Sequence, residues 1–241
     1  MALVEKRLVL KVSGEQLGSV DKTFDLDNGY RVARIIKALN DADYQIACVM
    51  GAGNVVRGQE MAEDGYPNKI TADHMGMLGT LQNGIFLNEL ISGLDIESRL
   101  MSNVPVEGVS EPFKYRKACN FLRDGKVLLL GGGTGRPGRT TDTATVSLAH
   151  EIHAGAGAIK TTSVDGVYDK DPIKYPAEAV RIPEMTIQQA LENPEVRVMD
   201  RGALGLAQDH GITIRICQPE IDAVMGVLSG NTSSGSIISP S

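Results

Sequence analysis

Two lysines and two aspartates stand at positions where they could act on a phosphoryl group. Lys11 and Lys160 lie near the ends of predicted strands, Asp142 opens a predicted helix, and Asp200 lies in the first turns of another. Ammonium groups can neutralise a transferring phosphoryl group and its leaving oxygen, and carboxylates can orient those ammoniums. An acceptor that is itself an anion needs no side-chain base. These four residues therefore predict phosphoryl-transfer chemistry.

Each of these residues also has a simpler interpretation. Lys11 could be a solvent-exposed lysine on an edge strand. Asp142 could serve only in a helix cap with the two threonines before it, and Asp200 could be a surface charge paired with a neighbouring arginine. The residue types alone leave these alternatives open.

Glycine-containing turns after three predicted strands could supply the backbone groups for such a site. They are Ser13-Gly14-Glu15, Gly51-Ala52-Gly53-Asn54 and the segment from Gly131 to Asp142. Glycines let backbone amides approach a ligand closely, and the amino terminus of a helix favours an anion. Because ligands bind at the carboxyl ends of strands in open α/β sheets, we expect the three turns to form one phosphate site. The chain has no GxxxxGK[ST], HRD or DFG pattern, which argues against P-loop proteins and protein kinases.

Composition narrows the class of protein further. The chain has 241 residues and a net charge of -6, which argues against a general nucleic-acid or membrane-surface binder. Its three cysteines, Cys48, Cys119 and Cys217, show no CxxC spacing and favour a reducing compartment. Charges near residue 5 do not fit a signal peptide, and no apolar run is long enough to span a bilayer. We expect a cytoplasmic protein with neither nucleic-acid nor membrane partners.

Strand and helix patterns alternate along the chain. Period-two and continuous apolar runs predict strands at 6–12, 44–50, 97–101, 127–130, 157–163, 212–217 and 236–239. Helical spacing predicts helices at 25–39, 71–94, 112–124, 142–153, 187–191, 196–210 and 221–228. The methionine and leucine stripe of the long second helix is typical of a core or a subunit interface, and its polar residues Asp73 and Asn83 could face a ligand. The alternation predicts one domain over residues 1–241, a three-layer α/β/α sandwich with a mostly parallel central sheet.

Six segments, in order along nearly the whole chain, resemble the bacterial uridylate kinases of the amino acid kinase superfamily. They are Lys11-Val12-Ser13-Gly14-Glu15, Gly51-Ala52-Gly53-Asn54 with Arg57-Gly58, Asp73-His74-Met75-Gly76-Met77-Leu78, Gly133-Thr134-Gly135 through Thr140-Thr141-Asp142, Lys160 with 164–168 and Asp171-Pro172, and Val198-Met199-Asp200. The resemblance implies the amino acid kinase fold, a homohexamer, and transfer of the γ-phosphoryl group of ATP to UMP with Mg²⁺. Each motif alone is weak, whereas all six in order are specific.

The resemblance also implies roles for individual residues. Lys11, Lys160, Asp142 and Asp200 fall on the catalytic positions. The ATP side comprises Lys11, Val12, Ser13, Gly14, Gly53, Arg57, Thr162, Tyr168 and Asp171. The UMP side comprises Ala52, Asp73, Thr134, Gly135, Arg136, Pro137, Gly138, Arg139, Thr140 and Thr141. The Mg²⁺ ion would be bound mainly through the ATP phosphates, with no side-chain metal site.

The chain departs from the family pattern at three places. Ala52 replaces the middle glycine of a three-glycine turn, which a negative φ would allow. Arg136, Gly138 and Arg139 replace an asparagine and two aromatic residues, so we expect stronger monophosphate binding and looser discrimination of UMP from CMP or dUMP. Residues 19–24 replace a Gly/Phe-rich segment linked to GTP activation, so control by GTP or UTP is left open.

Two other functions fit the same elements less well. One is a kinase of the same fold that acts on a small carboxylate or carbamate, against which the segment 73–78 and the arginine-bearing loop argue. The other is a non-catalytic nucleotide or oxyanion binder, against which the presence of both lysines and both aspartates argues.

Overall fold

The computed structural model describes residues 2–56, 65–196 and 198–240. The strands are β1 (Arg7–Val12), β2 (Gln45–Met50), β3 (Ser98–Ser102), β4 (Glu111–Pro112), β5 (Val127–Gly131), β6 (Ala158–Thr161), β7 (Val167–Tyr168), β8 (Arg181–Ile182), β9 (Glu184–Thr186), β10 (Ile214–Cys217) and β11 (Ser236–Ser239). The α-helices are α1 (Leu26–Asp41), α2 (Lys69–Ser92), α3 (Tyr115–Arg123), α4 (Thr141–Glu151), α5 (Ile187–Glu192), α6 (Arg201–His210) and α7 (Ile221–Leu228), and 3₁₀ turns span Gly14–Gln16 and Thr232–Ser234.

In the described parts of the chain, nine strands form one sheet in the order β4-β3-β5-β2-β1-β6-β10-β11-β9, and β7 pairs with β8 separately. Neighbours in the large sheet run parallel except β10 and β11, which are antiparallel. Strand β1 occupies the middle of the order, with β2 and β6 on either side. The interpretation of Lys11 as an edge-strand lysine is therefore wrong.

Helices cover both faces of the sheet, which confirms the three-layer α/β/α fold. Leu8, Leu10 and Val12 of β1 pack in the core beneath α1, α2 and α7. Val9 packs in the opposite core, which α3, α4, α5 and α6 cover. Because successive side chains of a strand point to opposite faces, Lys11 lies on the same face as Val9. This alternation directs the Lys11 side chain toward α4.

Local signals place most helix boundaries within a few residues of the prediction. Asp25 caps α1 through a hydrogen bond from the Asn28 amide, and Thr186 caps α5 in a capping box with Gln189. Helix α7 matches its prediction, and α2 begins slightly earlier than predicted because Asn68 accepts hydrogen bonds from the amides of its first turn.

Two predicted helices are too long at their amino ends. Residues 112–114 are not helical, because β4 pairs with β3 and the Phe113 amide donates to the Ser102 carbonyl. The predicted helix 196–210 begins only at Arg201, because Asp200 is the extended N-cap residue of α6. In the described parts of the chain, no helix has both the length and the apolar character needed to cross a bilayer.

Candidate active site

Lys11 and Lys160 lie side by side on two central strands. They are direct partners in the parallel register of β1 and β6. Ala158, two residues before Lys160, packs in the same core as Val9, so both lysines point to the face that α4 covers. The two strands thus bring two ammonium groups to one point although 148 residues separate them in the chain.

Asp142, in the first turn of α4, bridges the two lysines. Its Oδ1 lies 3.1 Å from Lys11 Nζ and its Oδ2 lies 2.8 Å from Lys160 Nζ. The side chains of the three residues are only 10–16% exposed. Two ammoniums and one carboxylate leave a net positive charge, which can attract a phosphate. The position near the helix amino terminus also stabilises the carboxylate.

The mutual contacts shift the pKa values of this group. Burial acts to raise the pKa of Asp142, but the charges of Lys11 and Lys160 and their hydrogen bonds outweigh it and keep that pKa below its ordinary value. Burial and the charge of Lys11 lower the pKa of Lys160, while Asp142 and, more weakly, Asp200 oppose the shift. Asp142 is therefore ionised at neutral pH and holds the lysines against each other's repulsion.

Among the described residues Asp200 forms no ion pair with Lys11 or Lys160, although its charge opposes the lowering of the Lys160 pKa. Its carboxylate accepts hydrogen bonds from the hydroxyls of Thr140 and Thr143 and from the Ala203 amide. It thereby caps α6 and joins that helix to the beginning of α4. Lys160 instead donates its second hydrogen bond to the Val198 carbonyl, in the segment that leads to Asp200.

The turns after β1 and β2 pack against each other beside the lysines. A Cβ on Gly14 would lie 2.5 Å from the Gly53 nitrogen, so only glycine allows this approach. Ala52 is not among the described residues with positive φ, which confirms that its side chain is tolerated. Asn83 of α2 is fully buried and donates to the Gly51 carbonyl at 2.6 Å. It also exchanges hydrogen bonds with Asn54, so the prediction that Asn83 could face a ligand is wrong.

The segment between β5 and α4 forms a loop that α2 and β3 hold in place. Gly132, Gly133, Gly135 and Gly138 have positive φ. Asp73 of α2 accepts a hydrogen bond from the Gly138 amide at 2.7 Å. At the end of the loop, the hydroxyl of Thr140 caps α4 by accepting from the amides of Asp142 and Thr143.

A cavity of about 280 Å³ lies between α2 and this loop. We name it the α2 cavity. Predicted UMP-side residues line it, namely Ala52, Asp73, Thr134, Arg139, Thr140 and Thr141. Gly135 and Pro137 belong to the same loop but do not line this cavity, and Gly138 reaches it only through its bond to Asp73.

A second cavity, of about 400 Å³, lies beyond the end of β6. We name it the β6 cavity. It is lined by Lys160 and by the three residues predicted for the nucleoside of ATP, Thr162, Tyr168 and Asp171. The Tyr168 hydroxyl donates to Asp165 at 2.6 Å, and Asp171 accepts from the Ile173 amide at 2.9 Å, so both side chains are held in place.

The Asp142-bridged lysines thus lie between the two cavities. Lys160 lines the β6 cavity, and Thr141, next to Asp142, lines the α2 cavity. Val12 ends β1, and Ser13, Gly14 and Gly53 belong to the paired turns beside the lysines. Arg57, predicted for ATP phosphates, lies outside the described residues.

Two residues that support the site were not predicted. Thr80 of α2 accepts a hydrogen bond from the Gly132 amide at 2.8 Å. Asn103, directly after β3, donates to the Gly133 carbonyl at 2.7 Å. A polar residue just after a buried strand was a signal for Asn103, whereas nothing in the helical pattern of α2 distinguished Thr80.

An open parallel sheet whose central strands carry two bridged lysines beside glycine turns defines an α/β enzyme of phosphate chemistry. The model of the amino acid kinase family matches residues 6–218, and the chain belongs to this family. Its relatives include the uridylate kinase of Sulfurovum sp. (strain NBC37-1), 39% identical over 97% of this chain and 99% of the relative. The uridylate kinase of Aliarcobacter butzleri (strain RM4018) is 37% identical over 98% of this chain and 100% of the relative.

Solved structures of similar fold lead to the same group of enzymes. The UMP kinase from Bacillus anthracis superposes with a TM-score of 0.90 at 28% identity, over 97% of this chain and 96% of that one. The UMP kinase from Ureaplasma parvum superposes with a TM-score of 0.88 at 27% identity, over 98% of this chain and 100% of that one. The resemblance to uridylate kinases noted from the six segments is thereby confirmed.

Proposed function

We propose that this chain is a nucleoside monophosphate kinase that transfers the γ-phosphoryl group of ATP to UMP and produces ADP and UDP. The observation that carries the proposal is the Asp142-bridged lysine pair between two cavities of nucleotide size. Full-length relatives named uridylate kinase and solved UMP kinases support the choice of acceptor.

In this proposal ATP and UMP approach the lysines from opposite sides. The nucleoside of ATP binds in the β6 cavity against Thr162, Tyr168 and Asp171, and its phosphates extend over the turns after β1 and β2. Val12 at the end of β1 and Ser13, Gly14 and Gly53 of these turns contact the phosphates, and Arg57 contributes a cation. UMP binds along the α2 cavity and the loop 134–141, with its phosphate toward Thr141 and Ala52. Asp73 holds the loop through Gly138 and faces the same cavity.

The chemical step needs position and charge more than acid or base groups. A phosphate oxygen of UMP attacks the γ-phosphorus, and the bond from that phosphorus to the β,γ-bridging oxygen breaks, so its electron pair leaves with ADP. Lys11 and Lys160 neutralise the charge on the transferring group and the leaving oxygen. Asp142 keeps both ammoniums together, and Asp200 is a positioning residue that joins α6 to the beginning of α4.

The site residues fit a Mg²⁺ ion that is bound mainly through the ATP phosphates. The Asp142 carboxylate pairs with the ammonium groups of Lys11 and Lys160. The Asp200 carboxylate accepts hydrogen bonds from the hydroxyls of Thr140 and Thr143 and from the Ala203 amide. Among the residues the structure describes, no group of three or more His, Cys, Asp or Glu side chains could hold a metal. When bound, the ion would supply charge neutralisation on the donor phosphates.

Steady-state assays with a panel of acceptors test the proposal. Purified protein with ATP and Mg²⁺ is offered UMP, CMP, dUMP, glutamate and aspartate, and ADP release is measured with each. We expect UMP to be the preferred acceptor, with UDP as the product in a mass spectrum. Turnover of no nucleotide would refute the function, and preference for glutamate or aspartate would support the carboxylate kinase instead.

We further propose that the chain acts as one cytoplasmic amino acid kinase domain over residues 1–241 and assembles as a homohexamer. Three large apolar side chains of α2, Met75, Leu78 and Ile85, are 38–46% exposed in the single chain. Their helical spacing forms a stripe suited to a subunit interface. Light scattering after gel filtration should give about six times the 25.7 kDa mass of the chain, and Leu78→Glu should reduce that mass. A monomeric wild-type protein would contradict the assembly.

A further inference from the structure

A buried threonine hydroxyl joins the two strands that carry the lysines. Thr161 is the last residue of β6, and its Oγ1 lies 3.1 Å from the carbonyl oxygen of Lys11. The residue before it, Lys160, is the register partner of Lys11. One side chain therefore ties together the backbone segments from which both ammonium groups extend.

Gln16 extends this connection to the turn after β1. Its side-chain Oε1 lies 2.8 Å from Thr161 Oγ1. Gln16 ends the 3₁₀ turn that begins at Gly14, and its backbone amide donates to the Ser13 carbonyl at 3.0 Å. We name the side chains of Gln16 and Thr161, together with the Lys11 carbonyl, the Thr161 link. The link joins the glycine turn to the strands of both lysines.

The connection holds in either orientation of the Gln16 amide. A hydroxyl has one proton, so Thr161 donates either to the Lys11 carbonyl or to Gln16 Oε1. With the amide turned by 180°, its nitrogen would donate to Thr161 while Thr161 donates to Lys11. The hydrogen-bond network decides between these orientations, and both join the same three groups.

The Thr161 link lies behind the lysines, on the other face of the sheet. Ile159, two residues before Thr161, packs in the core beneath α1, α2 and α7, so Thr161 points away from the face of Lys160. Thr161 is 1% exposed and Gln16 is 7% exposed. Because both side chains are buried there, they act on a bound ligand through the backbone rather than by contact.

Stability alone does not account for this buried polar pair. In the observed orientation, Gln16 Nε2 is buried without a hydrogen-bond partner among the described residues, which costs free energy. In the turned orientation the amide gains one neutral hydrogen bond, whose net stabilisation is small. An apolar side chain of similar length would serve the core equally well. Such local exceptions are typical of positions that function determines.

We propose that Gln16 and Thr161 are positioning residues that fix the turn after β1 relative to Lys11 and Lys160 and thereby place the phosphates of ATP. This inference rests on the proposed function, in which Ser13 and Gly14 of that turn contact the phosphates. Phosphoryl transfer depends mainly on position, and a displacement of about 1 Å costs about 10²-fold in rate. The link fixes this position because it holds the turn, the Lys11 backbone and the neighbour of Lys160 at one hydroxyl.

The test removes each half of the link without leaving a large cavity. Gln16→Met keeps the length of the side chain, and Thr161→Val keeps its branched shape without the hydroxyl. Each variant should lower kcat/KM for ATP about 10- to 100-fold, mainly through a higher KM for ATP. The KM for UMP should change less than about threefold, because the link holds the donor side only.

Two control variants separate the link from a general effect of substitution. Thr161→Ser keeps the hydroxyl and should therefore stay within about threefold of wild type in kcat/KM for ATP. Gln188→Met changes an exposed glutamine of α5 and should leave all kinetic constants unchanged.

Nucleotide binding and unfolding distinguish positioning from a structural role. Calorimetry with Mg²⁺ and AMP-PNP, a non-hydrolysable analogue of ATP, should show a Kd about tenfold higher for Gln16→Met in the absence of UMP. The urea midpoint of that variant should stay within about 0.5 M of wild type, because little net stabilisation is lost. A purely structural defect would lower the midpoint and the active fraction, and therefore kcat, but would leave KM and Kd for the nucleotide unchanged.

The outcomes separate this inference from the proposed function. Wild-type turnover of UMP, combined with an unchanged KM for ATP and an unchanged Kd for AMP-PNP in Gln16→Met and Thr161→Val, would overturn the inference alone. A loss in Thr161→Ser as large as that in Thr161→Val would also overturn it. Absence of UMP turnover in the wild type would refute the proposed function, while AMP-PNP binding would still test the link.

Discussion

Replacement of Asp142 by asparagine should disrupt the centre of the site. The variant keeps the shape of the side chain but removes the charge that joins Lys11 and Lys160. At the observed separations of 3.1 and 2.8 Å, each attraction amounts to roughly 5–6 kcal/mol with an effective dielectric constant of about 20. Desolvation offsets much of that gain, and loss of one member of a buried ion pair costs about 3–5 kcal/mol.

Urea unfolding followed by far-ultraviolet circular dichroism measures this loss, since the chain contains no tryptophan. We expect the free energy of unfolding of Asp142→Asn to fall by about 3–5 kcal/mol at pH 7. The matched control is Asp41→Asn. It removes the exposed ion pair between Asp41 Oδ1 and Lys37 Nζ, which are 3.0 Å apart. That control should lose about 0.5 kcal/mol or less.

The pH dependence of the loss identifies its cause. The pKa of Asp142 is lowered in the folded protein, so its contribution is fully present above the unfolded pKa and disappears as the pH falls through the folded pKa. The pKa of Lys160 is also lowered, and without the carboxylate it falls further. In the folded variant Lys160 therefore loses its proton at a lower pH than it does in the unfolded chain. As the pH rises toward the pKa of Lys160 in the unfolded chain, the difference in the free energy of unfolding between wild type and variant should shrink. A deficit below about 1 kcal/mol with no pH dependence would refute the bridged arrangement.

The remaining predictions concern the lysines and the paired turns. Lys11→Ala and Lys160→Ala should each lower kcat by about 10²-fold or more in steady-state assays, and a folded variant with near-normal kcat would remove that lysine from the site. Gly14→Ala places a Cβ 2.5 Å from the Gly53 nitrogen, so kcat/KM for ATP should fall about 10- to 100-fold. Its control, Gly205→Ala, meets no atom within 4 Å and should behave as wild type. Asn83→Leu leaves the Gly51 carbonyl unpaired and should reduce the free energy of unfolding by about 2–4 kcal/mol, whereas a change under about 0.5 kcal/mol would show that the clamp is unimportant.

Errors at the element boundaries arose where a contact distant in sequence replaced the local preference. Residues 112–114 carry no strong helix breaker after Pro112, yet strand pairing with β3 takes their backbone hydrogen bonds. The segment before Asp200 has an apolar helical spacing, but the Val198 carbonyl accepts from Lys160 instead of continuing a helix. In both cases a residue of another strand, from β3 or β6, takes the hydrogen bond that a helix would have used. A prediction from neighbouring residues alone does not include that partner.

The sequence by itself determined the alternation of strands and helices, the glycine turns, and the four charged residues that phosphoryl transfer requires. Apolar periodicity and capping residues are local properties, so α7 and the N-caps Asp25 and Thr186 could be predicted. Only the tertiary structure decided which charges meet. The strand order puts Lys11 opposite Lys160 with Asp142 between them. The Asp200 carboxylate instead accepts hydrogen bonds from the hydroxyls of Thr140 and Thr143. Strand order depends on how both faces of the sheet are buried by all the helices together, which no single segment encodes.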